Sequence, residues 1–271
     1  MNEKGKDSKL IMGIVNINDD SYFCESRALD PESIRARTGK LMEEGADIID
    51  IGACSTRPGS EYISEEDEWK RIDQALAALE EGGLHPRLSI DTFRAGIVQK
   101  VYDRVGDFIV NDISAGEEDA DMLRTVGRLK LDYIAMHKRG TPKTMQSLCD
   151  YEDVVEEIIR YFREFAEKAE QNGIRNWILD PGFGFAKTVE QNYRLLKNLP
   201  EIKEALDRKI LVGISRKSMI TKYLGIATED ALPATSALHL YSMFCGADIL
   251  RVHDVKEAAQ VLKLYKMLNI A

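Results

Sequence analysis

Short runs of Ile, Val, Leu and Met return along the chain, separated by longer stretches in which apolar and polar residues alternate with helical spacing. The runs are LIMGIV at 10–15, ADIIDIG at 46–52, RLSI at 87–90, DFIVND at 107–112, DYIAM at 132–136, NWILD at 176–180, KILVGI at 209–214 and ADILRV at 247–252. Each is short and nearly continuous in its apolar character, as parallel strands covered on both faces must be. Between them, residues 31–45, 64–83 and 151–173 read as helices. In the second, Trp69, Ile72, Leu76 and Leu79 recur at intervals of three and four, with Ser64 placed to start the helix. Eight strand-then-helix units predict an α/β fold of the (β/α)8 TIM-barrel type in preference to an open doubly wound sheet.

Three connections are too long for plain turns: NINDDSYFCESRALD after the first strand, ACSTRPGSEY after the second and MHKRGTPKTMQSLCD after the fifth. Extended βα loops of this kind carry function in such a barrel. No linker, repeat or shift in composition divides the chain, so residues 1–271 read as one domain.

Composition narrows the classes. A hydrophobic fraction of 44% with 31% charged residues suits a soluble protein with a sizeable core, and 37 Lys and Arg against 46 Asp and Glu leave a formal charge of −9. That balance speaks against broad attraction to nucleic acid or an anionic membrane, while leaving room for a local basic pocket. Cys24, Cys54, Cys149 and Cys245 form neither a CxxC pair nor a zinc pattern. No run approaches the roughly 18 apolar residues of a spanning helix, and the expected location is the cytoplasm.

Unusual polar residues fall where the strands end. Asn16 follows the first strand, and Ser55, Thr56 and Arg57 follow the second. Asp91 closes the third, Asn111 and Asp112 end the fourth, and His137 follows the fifth. Asp180 closes the sixth, Ser215 to Lys217 follow the seventh, and Arg251 with His253 ends the eighth. In a parallel barrel all of these reach one rim, the rim at which βα loops build active sites.

Asp91 and Asp180 emerge straight from apolar strands, where a carboxylate needs donors or a ligand. They suit acid/base chemistry and, equally, the paired N–H donors of a heterocycle. Arg57 and Arg251, with His253 and Asn16, point to a phosphate or diphosphate pocket. Lys217 suits either a phosphate or the face of a flat ring, and Ile113, Met136, Phe183 and Phe185 offer apolar contacts to such a ring. No dinucleotide fingerprint, phosphate loop, nucleophile elbow or zinc spacing is present.

Taken in order, MGIVN, DIIDIGACSTRPG, SIDTFR, NDIS, AMHKRG, ILDPGFGFAK, GISRKSMI and RVHDV resemble the dihydropteroate synthases, the pterin-condensing family of folate biosynthesis. The resemblance spans Met12 to Val255. It implies a barrel enzyme joining 6-hydroxymethyl-7,8-dihydropterin pyrophosphate to 4-aminobenzoate with release of pyrophosphate, dependent on Mg2+ and homodimeric. By the same resemblance Asp91, Asn111, Ile113, Met136, Asp180 and Lys217 bind the pterin, and Asn16, Arg57, Arg251 and His253 bind pyrophosphate. Asn16 is then the Mg2+ ligand, Thr56, Pro58, Phe185 and Ser218 border the aminobenzoate, and Asp91, Lys217 and Arg57 are the catalytic set. Two alternatives share the ring pocket: a pterin-dependent methyltransferase domain and a non-catalytic pterin-binding module. The chain departs from the family in its first loop, where NDDSYFCES stands for a sequence close to TPDSFSDGG. Cys54 also replaces an acidic residue, and Ala186 replaces a glycine.

Overall fold

A computed structural model describes residues 9–17, 30–55 and 60–270. Eight strands form a single parallel sheet: β1 (Leu10–Asn16), β2 (Ile48–Gly52), β3 (Leu88–Asp91), β4 (Ile109–Asp112), β5 (Asp132–Met136), β6 (Trp177–Asp180), β7 (Leu211–Val212) and β8 (Ile249–Val252). Their spatial order is 6-5-4-3-2-1-8-7, and a parallel bridge between Leu179 and Ile210 joins the two outer strands. The sheet therefore closes into a (β/α)8 barrel, as its sequence rhythm predicts.

Local chemistry sets the helix boundaries. For α1 (Pro31–Glu44), the Asp30 carboxylate accepts the Ser33 amide at 2.9 Å, and Gly45 ends the helix in the left-handed region. Ser64 caps α2 (Glu65–Glu81) through the Asp67 amide at 3.1 Å. Then come α3 (Ala95–Val105) and α4 (Met122–Leu129). The long amphipathic stretch forms α5 (Val154–Gln171), which starts three residues later than the pattern predicts because Asp153 caps it.

The rhythm of one helix per strand fails twice. The β6–β7 crossover holds α6 (Val189–Lys197) and α7 (Leu199–Leu206), interrupted at Asn198 ahead of Pro200, which cannot continue the first helix. The β7–β8 crossover holds α8 (Ser218–Leu224) and α9 (Leu232–Phe244), and α10 (Val255–Ile270) follows β8. β7 itself is only two residues long, shorter than the apolar run at 209–214.

The barrel interior changes character along its axis. Met12, Ile48, Ile109, Ile134, Leu211 and Ile249 fill its lower part and exclude water. One pleat repeat higher Asp50 and Ser89 are register partners across β2 and β3, and the side chains of Asn111 from β4 and Arg251 from β8 reach Asp50 there. Strand alternation thus carries the polar groups up from an apolar floor to the C-terminal rim. The larger core lies between strands and helices, where Ile51, Ile72, Val98, Tyr133 and Phe162 are fully buried.

Candidate functional site

Strand register builds the mouth. Gly52, Asp91 and Asn111 are adjacent across β2, β3 and β4, and Met136 lies beside Asp180 across β5 and β6. The two carboxylates singled out by sequence therefore share one opening with Asn111 and Met136.

Below them lies a residue that the sequence reading passed over. Asp50 is fully buried inside the barrel, and Ser89 Oγ donates to it at 2.6 Å, Asn111 Nδ2 at 3.2 Å and Arg251 Nε at 2.7 Å. Arg251 also donates through Nη2 to Asp91 at 2.8 Å. Arg251 is thus the counter-ion of two acids as well as a rim cation. Burial alone would weaken its hold on the proton, but the Asp50 and Asp91 carboxylates raise it well above the ordinary guanidinium range. The available signal was an acidic residue inside the apolar strand IIDIG, which can be buried only with partners.

Burial pushes the Asp91 carboxyl up, to about 7, against the lowering effect of Arg251. Asp180 is raised by burial as well and opposed first by Lys217; its Oδ1 accepts the Gly182 amide at 2.8 Å. Lys217, held down to about 8 mainly by burial, donates to the Phe183 carbonyl at 2.6 Å and lies 4.9 Å from the Phe185 ring centroid. Carboxylate, ammonium and aromatic face meet here, as a flat ring with N–H donors requires.

An apolar wall completes the slot. Cys54, Phe93, Ile113 and Met136 are buried together, with Tyr62, Ile63 and Phe185 packed against them. Tyr62 lies against Phe93 with ring centroids 4.6 Å apart, and Glu118 accepts from both Tyr62 and Lys138. The loops after β2, β4 and β5 are joined there. With Cys54 in the acidic residue's place the wall gains a thiol that burial raises to about 11, so it stays neutral.

The tight β6 exit depends on glycine. Gly182 has φ +73°, and a Cβ there would come within 1.9 Å of the His137 carbonyl oxygen. Ala186, by contrast, occupies the left-handed region with φ 49° and is fully buried. Its conformational cost of about 1–2 kcal/mol is offset by its buried methyl and by the entropy that glycine loses on folding. Ala186→Gly should therefore change stability by less than about 1 kcal/mol; thermal unfolding checks this, and a large drop would mean that the methyl is a packing element.

On the opposite side of the mouth, His253 lies near Ser215, with Nδ1 3.1 Å from Oγ. Burial, then Arg251, lowers it to about 3 and keeps the imidazole neutral. Asn16 ends β1, paired with Gly52. Ser55 is buried, and its hydroxyl has no hydrogen-bond partner among the described residues. Ser218 is exposed at the first position of α8. Thr56, Arg57 and Pro58, together with most of the first loop, lie outside the described residues.

A cavity of about 550 Å³ opens at the other end of the barrel, between Leu76, Leu84, Val105, Phe108 and Leu131. Its arginines are already paired, Arg87 with Asp132 and Arg104 with Glu80. Two of its acids, Glu80 and Asp132, are used up in those pairs.

Comparisons with known proteins follow the same geometry. The family model described as pterin binding enzyme matches residues 12–253. A dihydropteroate synthase of Neisseria meningitidis serogroup B is 38% identical over 274 residues, covering 99% of this chain and 95% of its own. Among solved structures, a Xanthomonas albilineans dihydropteroate synthase with 4-aminobenzoic acid superposes with a TM-score of 0.86 at 33% identity, covering 98% of this chain and 94% of its own. A Coxiella burnetii dihydropteroate synthase in complex with pteroic acid gives a TM-score of 0.86 at 29% identity, covering 96% and 93%.

Proposed function

Because the chain belongs to the pterin-binding enzyme family and carries out the dihydropteroate synthase reaction, we propose how its own residues divide the work. The observation that supports the division is the juxtaposition of Asp180 and Lys217 with the Asp50–Arg251–Asp91 chain at one mouth, above an apolar wall.

Asp180, Asn111 and Lys217 hold the pterin's polar edge, with Ile113 and Met136 against its face. The bond from the pterin methylene to the diphosphate oxygen breaks, and the ring shares the positive charge left on carbon. Asp91, a carboxylate fixed by Arg251, stabilises that charge. The diphosphate leaves toward Arg57, His253 and the donors of Arg251 that Asp50 and Asp91 do not use. The amine of 4-aminobenzoate, bordered by Thr56, Pro58, Phe185 and Ser218, attacks the carbon with its lone pair, and the proton it then sheds passes to solvent. No covalent enzyme intermediate is needed, so the catalytic contribution is positioning together with charge stabilisation.

Among the described residues no cluster of three or more acids, histidines or cysteines could hold a metal alone. Mg2+ fits this chemistry in another way, because it keeps several waters and takes one or two protein oxygens plus phosphate oxygens. Asn16 and the partnerless Ser55 hydroxyl are neutral oxygens suited to that shell. When bound, the ion neutralises charge on the leaving diphosphate.

Formation of dihydropteroate from both substrates with Mg2+, lost in Asp91→Asn, tests the reading. A methyltransferase or a silent binding module would form no such product. The pH dependence follows from two groups. Asp91 must be ionised, so kcat/KM should fall as pH drops through about 7. Lys217 must be protonated, so it should fall again as pH rises through about 8. A profile flat between pH 6 and 9 (roughly this window) would contradict both roles.

We also propose that residues 1–271 act as one pterin-binding domain, in which Arg37 of α1 donates to the His253 carbonyl at 2.7 Å. Phe244, Leu264, Met267 and Leu268 are exposed on adjoining faces of α9 and α10. Such a patch suits burial against a second copy, and sedimentation equilibrium tests the homodimer. No described helix is long and apolar enough to cross a membrane. Cys54, Cys149 and Cys245 are unbridged, which suits the reducing cytoplasm. The net charge of −9 supports the absence of nucleic-acid partners.

A further inference from the structure

Lys187 ends the motif that begins at Asp180, and the chemistry above assigns it no part. Its side chain is almost wholly buried, with the residue 4% exposed. The ammonium donates to the carbonyls of Gly182 and Phe185, each at 3.0 Å, and lies 3.0 Å from Nδ1 of His137. Three acceptors match its three protons, leaving no donor unused.

The acceptors belong to two different loops. Gly182 and Phe185 are in the turn that follows β6, whereas His137 follows Met136 at the end of β5. His137 can accept because burial, then the Lys187 charge, holds its imidazole neutral. The turn itself presents the Phe183 carbonyl to Lys217 at 2.6 Å and the Phe185 ring at 4.9 Å from the same ammonium. Lys217 is therefore located by a turn that Lys187 holds from behind.

A buried cation is a costly way to fill space. Burial brings Lys187 down to about 7, and a methionine of similar length would pack there without that penalty. What a methionine lacks is three directed donors.

We infer that Lys187 is a positioning residue of the pterin site, stapling the turn after β6 to the loop after β5 so that Lys217 meets the bound pterin at a fixed place. This rests on the pterin-binding role proposed for Lys217. Lys187 acts through that residue and touches neither substrate.

The test is a double-mutant cycle on pterin affinity, read by calorimetry with a 6-substituted pterin. The variants are Lys187→Met, Lys217→Met and the pair, with steady-state kinetics alongside. Lys187→Met alone should weaken pterin binding about tenfold or more, raising KM for the pterin substrate more than it lowers kcat. In the Lys217→Met background the same change should cost less than about twofold, since the residue being positioned is gone. Losses that multiply independently, or wild-type affinity in Lys187→Met, would overturn the inference. Should Lys187→Met fail to fold, His137→Phe removes only the acceptor on the β5 side and should reproduce the non-additivity with Lys217→Met; additivity there overturns it as well. Unchanged pterin affinity in Lys217→Met alone would instead refute the role of Lys217, an outcome separable from the rest.

Discussion

Arg251→Met should be the most damaging single change at the mouth. It strips the counter-ion from Asp50, which is fully buried, and from Asp91 in the same step. Breaking a buried pair by removing one partner costs about 3–5 kcal/mol, read as a drop of roughly 10 °C in the thermal midpoint. Activity should fall with it. Arg251 is the largest influence holding the Asp91 carboxyl down, so its loss pushes that group further up and moves the acid limb of the pH profile to higher pH. Binding of an isolated pterin should weaken along with diphosphate binding, because Asp91 is tied to the same guanidinium. A variant with wild-type stability and an unmoved acid limb would show that Asp50 and Asp91 manage without it. The double variant Asp50→Leu with Arg251→Met should be less destabilised than the sum of its parts, since the fully buried Asp50 charge is no longer left without its counter-ion and only Asp91 is.

The second large effect is expected from Asp180→Asn, and it should appear in binding while the fold stays intact. An asparagine Oδ1 can still accept the Gly182 amide, which Asp180 now accepts at 2.8 Å, so the turn survives. The other oxygen becomes an NH2 that faces the ring's donors with donors of its own. Losing charge-assisted hydrogen bonds costs about 1.5–3 kcal/mol, or roughly 10- to 150-fold in pterin affinity. Lys217 also loses the carboxylate that most favours its protonated form, so the basic limb should shift to lower pH. Stability should change little, because burial already raises the Asp180 carboxyl and the charge is not a stabilising one. Calorimetry showing unchanged pterin affinity in a folded variant would remove Asp180 from the pocket.

Several features of this site are readable directly from residue types. A carboxylate that closes an apolar run, as Asp91 and Asp180 do, has to meet a partner or a ligand, and both meet one at the mouth. Glycines within ILDPGFGFAK mark a backbone that must turn back on itself, and Gly182 does so against the His137 carbonyl. Asp50 and Lys187 were passed over for a common reason. Each lies inside a segment whose apolar or glycine-rich character already has an explanation; the acid within IIDIG signals that Asp50 needs a partner, but nothing local says which one. Their partners are 39, 61 and 201 residues away for Asp50, and 50 away for the contact of Lys187 with the loop after β5. The divided crossovers around α6 and α8 escaped notice because one amphipathic period reads alike whether or not the helix turns a corner.

The barrel, the identity of its functional rim and the kinds of group found there were determined by the sequence alone. Short apolar runs alternating with amphipathic helices read as parallel strands, and parallel strands deliver their C-terminal residues to one end. Tertiary structure decided how those groups pair: that Arg251 serves two acids, that Asp50 lies beneath Asp91, and that one buried ammonium ties two loops together. These are matters of register and inward or outward facing across a closed sheet. In a strand buried on both sides the apolar pattern carries no phase to say which face is which, and only closure of the ring supplies it.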